Sequence, residues 1–289
     1  MPRLLPILRL LRIGTVFSPI ADVVAGAAVA GLPLQATVAR AAVASGLLYA
    51  AGMVWNDVAD RRLDAEQRPE RPLPRGDVSV PFACGLGGML LVLAVVLSPC
   101  RHYHGLLAAL VLAYDFAGKR VAWLGVLGMA CLRGLNLAMA LAIAAATEAT
   151  LDPDRARDLV IAAWCYGAYI AAVTILGIFE DEPSVSPRAI SAVQTAPPIV
   201  ALVGIVTVQN GLWPAPAFAV LPLLVFLRRN AQRRSWDQAA IRRSMGWLLL
   251  GTMLYAALLT WAAGQPIVAA AIAAAILPAR RIARVIAPT

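Results

Sequence analysis

The run Asn56-Asp57-Val58-Ala59-Asp60-Arg61-Arg62-Leu63-Asp64 follows an apolar stretch from Ala36 to Trp55 and precedes Arg68-Pro69-Glu70-Arg71-Pro72-Leu73-Pro74. Asn56, Asp60 and Asp64 are spaced i, i+4, i+8, so a continuing helix carries all three on one face. Three oxygen donors on one stripe suit a hard divalent cation. Mg²⁺ typically takes one or two carboxylates and completes its shell with water and substrate phosphate. Asp57 lies about a quarter-turn away, in reach of a supporting role. Pro69, Pro72 and Pro74 stop regular helix and stiffen the backbone. A stiff loop can hold Arg68, Arg71 and Arg75 over an anion, and guanidinium–phosphate contacts are strong. Arg61 and Arg62 read as interface anchors. The expected chemistry acts on a phosphorylated, membrane-soluble substrate.

Two further groups have matching character. Tyr114, Asp115, Lys119 and Arg120 end a later apolar segment; the two cations can neutralise a diphosphate and the phenol can donate a hydrogen bond. Glu180, Asp181 and Glu182 end another, against the general basic bias. Neighbouring residues diverge by about 100° on a helix, so the three acids cannot share one ion. Asp181 is the expected ligand, with Glu180 assisting. Asp22, Arg133 and Asn136 fall within apolar segments, where charges are costly and face a cavity or each other. Two readings stay open: an Asp22–Arg133 ion pair, or a lining for the acceptor end of a pocket. His102 and His104 belong to the opposite membrane face.

The elements that must carry these groups are membrane helices. Hydrophobic residues make up 61% of the 289 residues, charged residues 14%, and mean hydropathy is +0.75. A soluble domain is about 45–50% apolar and about 25% charged. Ten apolar segments follow one another, near 13–31, 36–58, 79–99, 102–118, 122–146, 157–180, 188–209, 212–228, 245–263 and 266–280. They do not alternate polar and apolar residues, which excludes a β-barrel. The predicted class is an all-α, polytopic bundle of nine to ten spans around a central cavity, one integral-membrane domain over 1–289. The 102–118 segment and the last one are short for a span. The first span follows Arg3, Arg9 and Arg12 without a cleavable signal.

Ten alternating segments with a cytoplasmic N-terminus put 20 of the 25 Lys and Arg on one side and four on the other, with Arg133 inside a span. This is the positive-inside bias. The same threading brings Asn56–Arg75, Tyr114–Arg120 and Glu180–Glu182 to one membrane face. The net charge of +9 is spent on these connections and does not form a nucleic-acid-binding stripe. Residues 229–244 read as a basic connector against anionic lipid. Cys84, Cys100, Cys131 and Cys165 are scattered, have no CxxC spacing, and read as small core residues.

The run NDVADRRLDAEQRPERPLPRGDVS resembles the first aspartate-rich signature of the UbiA superfamily of intramembrane prenyltransferases. YDFAGKR is similar to that family's tyrosine–lysine–arginine motif after the fourth helix. PIADVVAG, LGMACLRGLNL and GIFEDEPS look closest to its EboC-like branch. The resemblance implies a prenyl diphosphate bridged by Mg²⁺ to two acidic motifs, and an acceptor whose identity stays open. Charge and hydropathy give the expected location, an integral membrane protein with its active face inward, taken here as in a bacterial inner membrane. The resemblance also implies that Asn56, Asp60 and Asp64 serve the first metal site and that Arg68, Lys119 and Arg120 hold diphosphate. The family's second motif has aspartates at i and i+4. Here Val185 follows Asp181 and Ser184 follows Glu180, and a tenth segment exceeds the family's nine. A terpene cyclase using the same ionisation, and a lipid carrier or transporter, are the rival expectations.

Overall fold

The computed structural model describes residues 4–182, 185–208, 214–233 and 235–286, apart from the side chain of Asp181. Among them are twelve α-helices and no strand: α1 (Leu4–Leu10), α2 (Phe17–Val29), α3 (Ala36–Gln67), α4 (Val80–Leu97), α5 (Arg101–Phe116), α6 (Ala122–Leu137), α7 (Met139–Ala146), α8 (Pro153–Asp181), α9 (Pro187–Thr207), α10 (Ala215–Gln232), α11 (Gln238–Ala262) and α12 (Pro266–Ile286). Each of the ten predicted segments has a helical counterpart. Six helices alone are long and apolar enough to cross a membrane, and eight spans result if α1 with α2, and α6 with α7, each form one bent span. The nine to ten expected spans exceed this count for two reasons. Helix α5 has only 16 residues. Helix α10 reaches 18 only by including Arg228, Arg229 and Asn230.

Helix starts follow local chemistry. Ser79 accepts from the Phe82 N–H ahead of α4, Asp152 from Asp154 and Arg155 ahead of α8, and Asp237 from Ala240 ahead of α11. These side chains satisfy donors that a helix leaves unpaired. Large apolar residues such as Trp164, Ile267 and Leu277 point outward, 77%, 85% and 66% exposed, as a lipid-facing surface requires.

The interior relies on small residues and close backbones, the usual means of helix association where no water is expelled. Gly26 of α2 shows why: a Cβ there would run into the Leu137 carbonyl at the end of α6. Helix α3 packs on α2, α4 and α5; α8 packs on α6, α9 and α11; α11 joins α2 to α12. His104, fully buried, bridges Ser45 (3.1 Å) and Ser98 (2.7 Å) and so pins α5 to α3. These contacts leave a cavity between α2, α3, α5 and α6.

Candidate functional site

The cavity is lined by Pro19, Ser45, Leu48, Tyr49, Gly52, Met53, Leu107, Val111, Tyr114, Asp115, Met129, Leu132, Arg133 and Asn136. On α3 the cavity residues Ser45 and Tyr49 share a stripe with Asn56 and Asp60 beyond the cavity, the four falling within an arc of about 60° at 100° per residue. Most of the lining is apolar. Its polar groups gather at two ends, with Tyr114 and Asp115 near the end of α5 and Arg133 and Asn136 deeper in α6.

At the first end the chain breaks helix at Ala117, and the 3-10 turn Gly118–Arg120 folds back over α3. Lys119 Nζ then lies 2.7 Å from Asp60 Oδ2, 4.0 Å from Asp115 Oδ1 and 3.5 Å from the Asn56 carbonyl. Asn56 Nδ2 donates to Asp115 Oδ1 (3.1 Å). Asp115 is 3% exposed, and its Oδ2 has no hydrogen-bond partner among the described residues. A buried carboxylate oxygen without a donor is costly, which is a reason to look for a cation there. The sequence marks Asp115 only as part of a helix end. Its burial comes from the α3–α5 contact.

Asp64 does not join Asn56 and Asp60. The loop after α3 is anchored by Leu73 and Val78, which pack with Leu10, Val54 and Val58, and the Val78 N–H reaches the Pro72 carbonyl. This folds the proline-rich segment onto the last turns of α3. Arg71 thereby donates to Asp64 Oδ2 (2.6 Å) and Asp57 Oδ1 (3.3 Å), and Arg12 also donates to Asp57 Oδ1 (3.3 Å). The acidic arc of α3 is therefore divided: Asn56 and Asp60 face Lys119, while Asp57 and Asp64 face Arg71. The single three-donor face expected from spacing becomes two adjoining half-sites. Arg68 and Arg120 are exposed at the rims.

At the second acidic motif, Glu180 accepts from Arg242 Nε (2.8 Å) and Nη2 (2.6 Å). The Asp181 side chain lies outside the described residues. Among the described residues no three His, Cys, Asp or Glu side chains are grouped to hold a metal ion. A comparison separates the roles of Glu180. If its only task is the pair with Arg242, Glu180→Gln and Arg242→Gln have equal small effects, about 0.2–1 kcal/mol on stability, and turnover is unchanged. If it serves the reaction, Glu180→Gln alone slows turnover, as steady-state rates will record.

Deeper in the bilayer, Arg133 Nη2 lies 3.0 Å from Asp22 Oδ2 and donates to Ser18 Oγ and Tyr166 Oη. Asn136 Nδ2 donates to Asp22 Oδ2 (3.2 Å) and the Pro19 carbonyl (2.9 Å). The ion-pair reading of Asp22 and Arg133 thus holds geometrically. Arg133 and Asn136 line the cavity as well; Asp22 does not. Tyr49, which composition could not single out among six tyrosines, has its ring 5.9 Å from the Arg133 guanidinium carbon. The signal for it was its register with Asn56, seven residues on.

No protein-family model matches the chain. The digeranylgeranylglyceryl phosphate synthase of Saccharolobus solfataricus is 40% identical over 68 residues, 24% of each chain. That of Natronomonas pharaonis is 39% identical over 99 residues, 34% of this chain and 36% of its own. The chain therefore matches only about a quarter to a third of the length of these curated relatives. A solved digeranylgeranylglyceryl phosphate synthase superposes with a TM-score of 0.62 at 17% identity, covering 91% of this chain and 99% of that one. A UbiA homologue from Archaeoglobus fulgidus gives 0.58 at 14% identity, covering 92% and 99%. Its complex with GPP and Mg²⁺ gives 0.54 at 14% identity, covering 88% and 99%. Local sequence similarity to these synthases and a fold shared over nearly the whole chain lead to one conclusion: this integral membrane protein has the fold of the solved UbiA homologues.

Proposed function

We propose that the chain, acting as one domain, is an intramembrane prenyltransferase that moves an isoprenyl group from a prenyl diphosphate to a membrane-soluble acceptor. The observation that carries this reading is the cavity itself. An apolar chamber has Asp115 in its wall, and Asp115 is joined to Asn56 and to Lys119, which in turn pairs with Asp60, a mixed set of oxygen donors and a cation suited to metal and diphosphate together.

The donor set fits Mg²⁺. Asn56, Asp60 and Asp115 offer oxygen, the unpartnered Asp115 Oδ2 included, and Asp64 adjoins them on the next stripe. Few protein ligands suffice because substrate phosphates complete the shell. Glu180 and Asp181 remain the candidates for the opposite side. When bound, the ion neutralises charge on the departing diphosphate. Lys119 and Arg120 from one side, with Arg68 and Arg71 from the other, add fixed positive charge where negative charge grows. The allylic carbon–oxygen bond breaks with its electron pair leaving on diphosphate. A nucleophilic atom of the acceptor then bonds to that carbon and loses its proton. Leu48, Met53, Leu107, Val111 and Leu132 keep water from the cationic carbon, and the rings of Tyr49 and Tyr114 can steady it. Arg133 and Asn136 orient the acceptor from the deep end.

By its charge bias the mouth opens to the cytoplasm, in a bacterial inner membrane. The deciding assay uses purified protein with C10 to C20 prenyl diphosphates, Mg²⁺ and host lipid extract, followed by mass spectrometry. The expected result is diphosphate release and a prenylated lipid, both abolished by a chelator. A cyclised hydrocarbon made without acceptor would make the protein a cyclase, and the absence of diphosphate release would make it a carrier.

A further inference from the structure

Helices α10 and α11 meet at their connecting end in a cluster of arginines that the transfer chemistry does not use. Helix α10 ends with Arg228 and Arg229, Arg233 follows, and α11 carries Arg242 and Arg243 in its second turn. Arg242 is taken by Glu180. Arg229 donates from Nη2 to Ser244 Oγ (3.3 Å), which ties the end of α10 to the start of α11. Burial first, and then the charges of Arg233 and Arg243, push the Arg229 guanidinium below its ordinary value, so the three stand close enough to repel one another. Among the described residues none of the three has a carboxylate within ion-pair distance. Asp237 turns its Oδ1 to the Ala240 N–H instead (2.6 Å).

The connector is held in this arrangement by α9. Trp236 donates from its indole nitrogen to Ser191 Oγ (3.3 Å), and its ring lies 5.0 Å from the Arg233 guanidinium carbon. Asn230 donates to the Ser191 carbonyl (3.0 Å) and accepts from buried Gln194. These contacts keep Arg229 and Arg233 beside Arg243. Toward the bilayer, Leu221, Leu224, Val225 and Arg228 fall at i, i+3, i+4 and i+7, one face of α10, and all four are exposed. Trp247, four residues after Arg243, is exposed too, with the Arg280 guanidinium carbon 5.0 Å over its ring. Tryptophan favours the level of lipid headgroups.

We propose that this end of α10 and α11 binds an anionic phospholipid, with the phosphodiester among Arg229, Arg233 and Arg243 and the acyl chains along the exposed face of α10. Guanidinium groups hold phosphate oxygens through paired N–H donors, and a negative headgroup removes the repulsion among the three. The exposed leucines select a lipid over free phosphate. None of these residues lines the substrate cavity. The lipid is therefore a resident partner of the fold, separate from donor and acceptor, and the site stands whether or not the chain transfers prenyl groups.

Binding is tested on the whole protein in neutral detergent, without Mg²⁺ or prenyl diphosphate, by native mass spectrometry and thermal shift. Phosphatidylglycerol should bind and raise Tm; phosphatidylcholine and inorganic phosphate should not. Arg243→Gln should weaken phosphatidylglycerol about fivefold, the worth of one basic group at an anionic lipid surface, and R233Q/R243Q about 25-fold. Arg62→Gln, at an exposed arginine on α3, should leave binding unchanged. Lipid-free Arg243→Gln should melt no lower than wild type, because it loses a repulsion, whereas a purely packing role would lower its Tm. Equal binding of phosphatidylcholine, equal stabilisation by inorganic phosphate, a lower Tm in lipid-free Arg243→Gln, or Arg62→Gln weakening the lipid as much as Arg243→Gln would overturn the proposal. If R233Q/R243Q does not fold, Arg243→Gln decides.

Discussion

Asp60→Ala is expected to reduce diphosphate release by about 10²–10³-fold or more, the scale seen when a preorganised charge-stabilising group is removed. Asp60 contributes in two ways. It supplies a carboxylate on the cavity stripe, and it holds Lys119 at 2.7 Å over the mouth. Its side chain is 27% exposed, so its loss opens no core cavity and the protein should remain folded in detergent. Asp60→Asn keeps the shape and removes the charge, and should be almost as slow. Single-turnover release of diphosphate at saturating Mg²⁺ measures both variants. Full activity in either would remove Asp60 from the reaction and with it the proposed mouth of the site.

Arg133→Met carries the largest expected effect on stability. Removing one partner of a buried ion pair leaves an uncompensated charge, at a cost of about 3–5 kcal/mol. Here the abandoned group is Asp22, 0% exposed, which keeps a hydrogen bond from Asn136 of α6. The double variant Asp22→Asn/Arg133→Met removes both charges and should recover most of that loss, as denaturant melts in detergent will show. The double variant also separates the two readings of this pair. If Arg133 orients the acceptor, the recovered protein folds but transfers slowly. If the pair serves packing alone, stability and turnover return together.

Much of the architecture was legible because membrane helices obey local rules. Hydropathy marked ten segments, and each became helix; the caps Ser79, Asp152 and Asp237 mark starts that side-chain chemistry explains. The span count was less legible. A bend of 48° between α1 and α2 and one of 41° between α6 and α7 depend on what packs beside them. Of the site, Asn56, Asp60 and Lys119 were readable as types at helix ends. Asp115 was not readable as a buried group, because burial at the end of α5 is decided by α3. The pairing of Arg12 with Asp57 was hidden too, since as sequence Arg12 is indistinguishable from an interface anchor.

Residue chemistry and periodicity by themselves determined an all-α membrane bundle and marked the acids and bases that end its helices. These are properties of single segments in a bilayer, where each helix satisfies its own backbone. Tertiary structure alone decided how the charges pair. Asn56, Asp57, Asp60 and Asp64 of α3 span only about 100° of arc, so small differences in angle send Asp60 to Lys119 and Asp64 to Arg71. Arg71 reaches Asp64 from seven residues away, but Arg12 reaches Asp57 from 45 and Asn56 meets Asp115 from 59, and no local pattern encodes the longer distances.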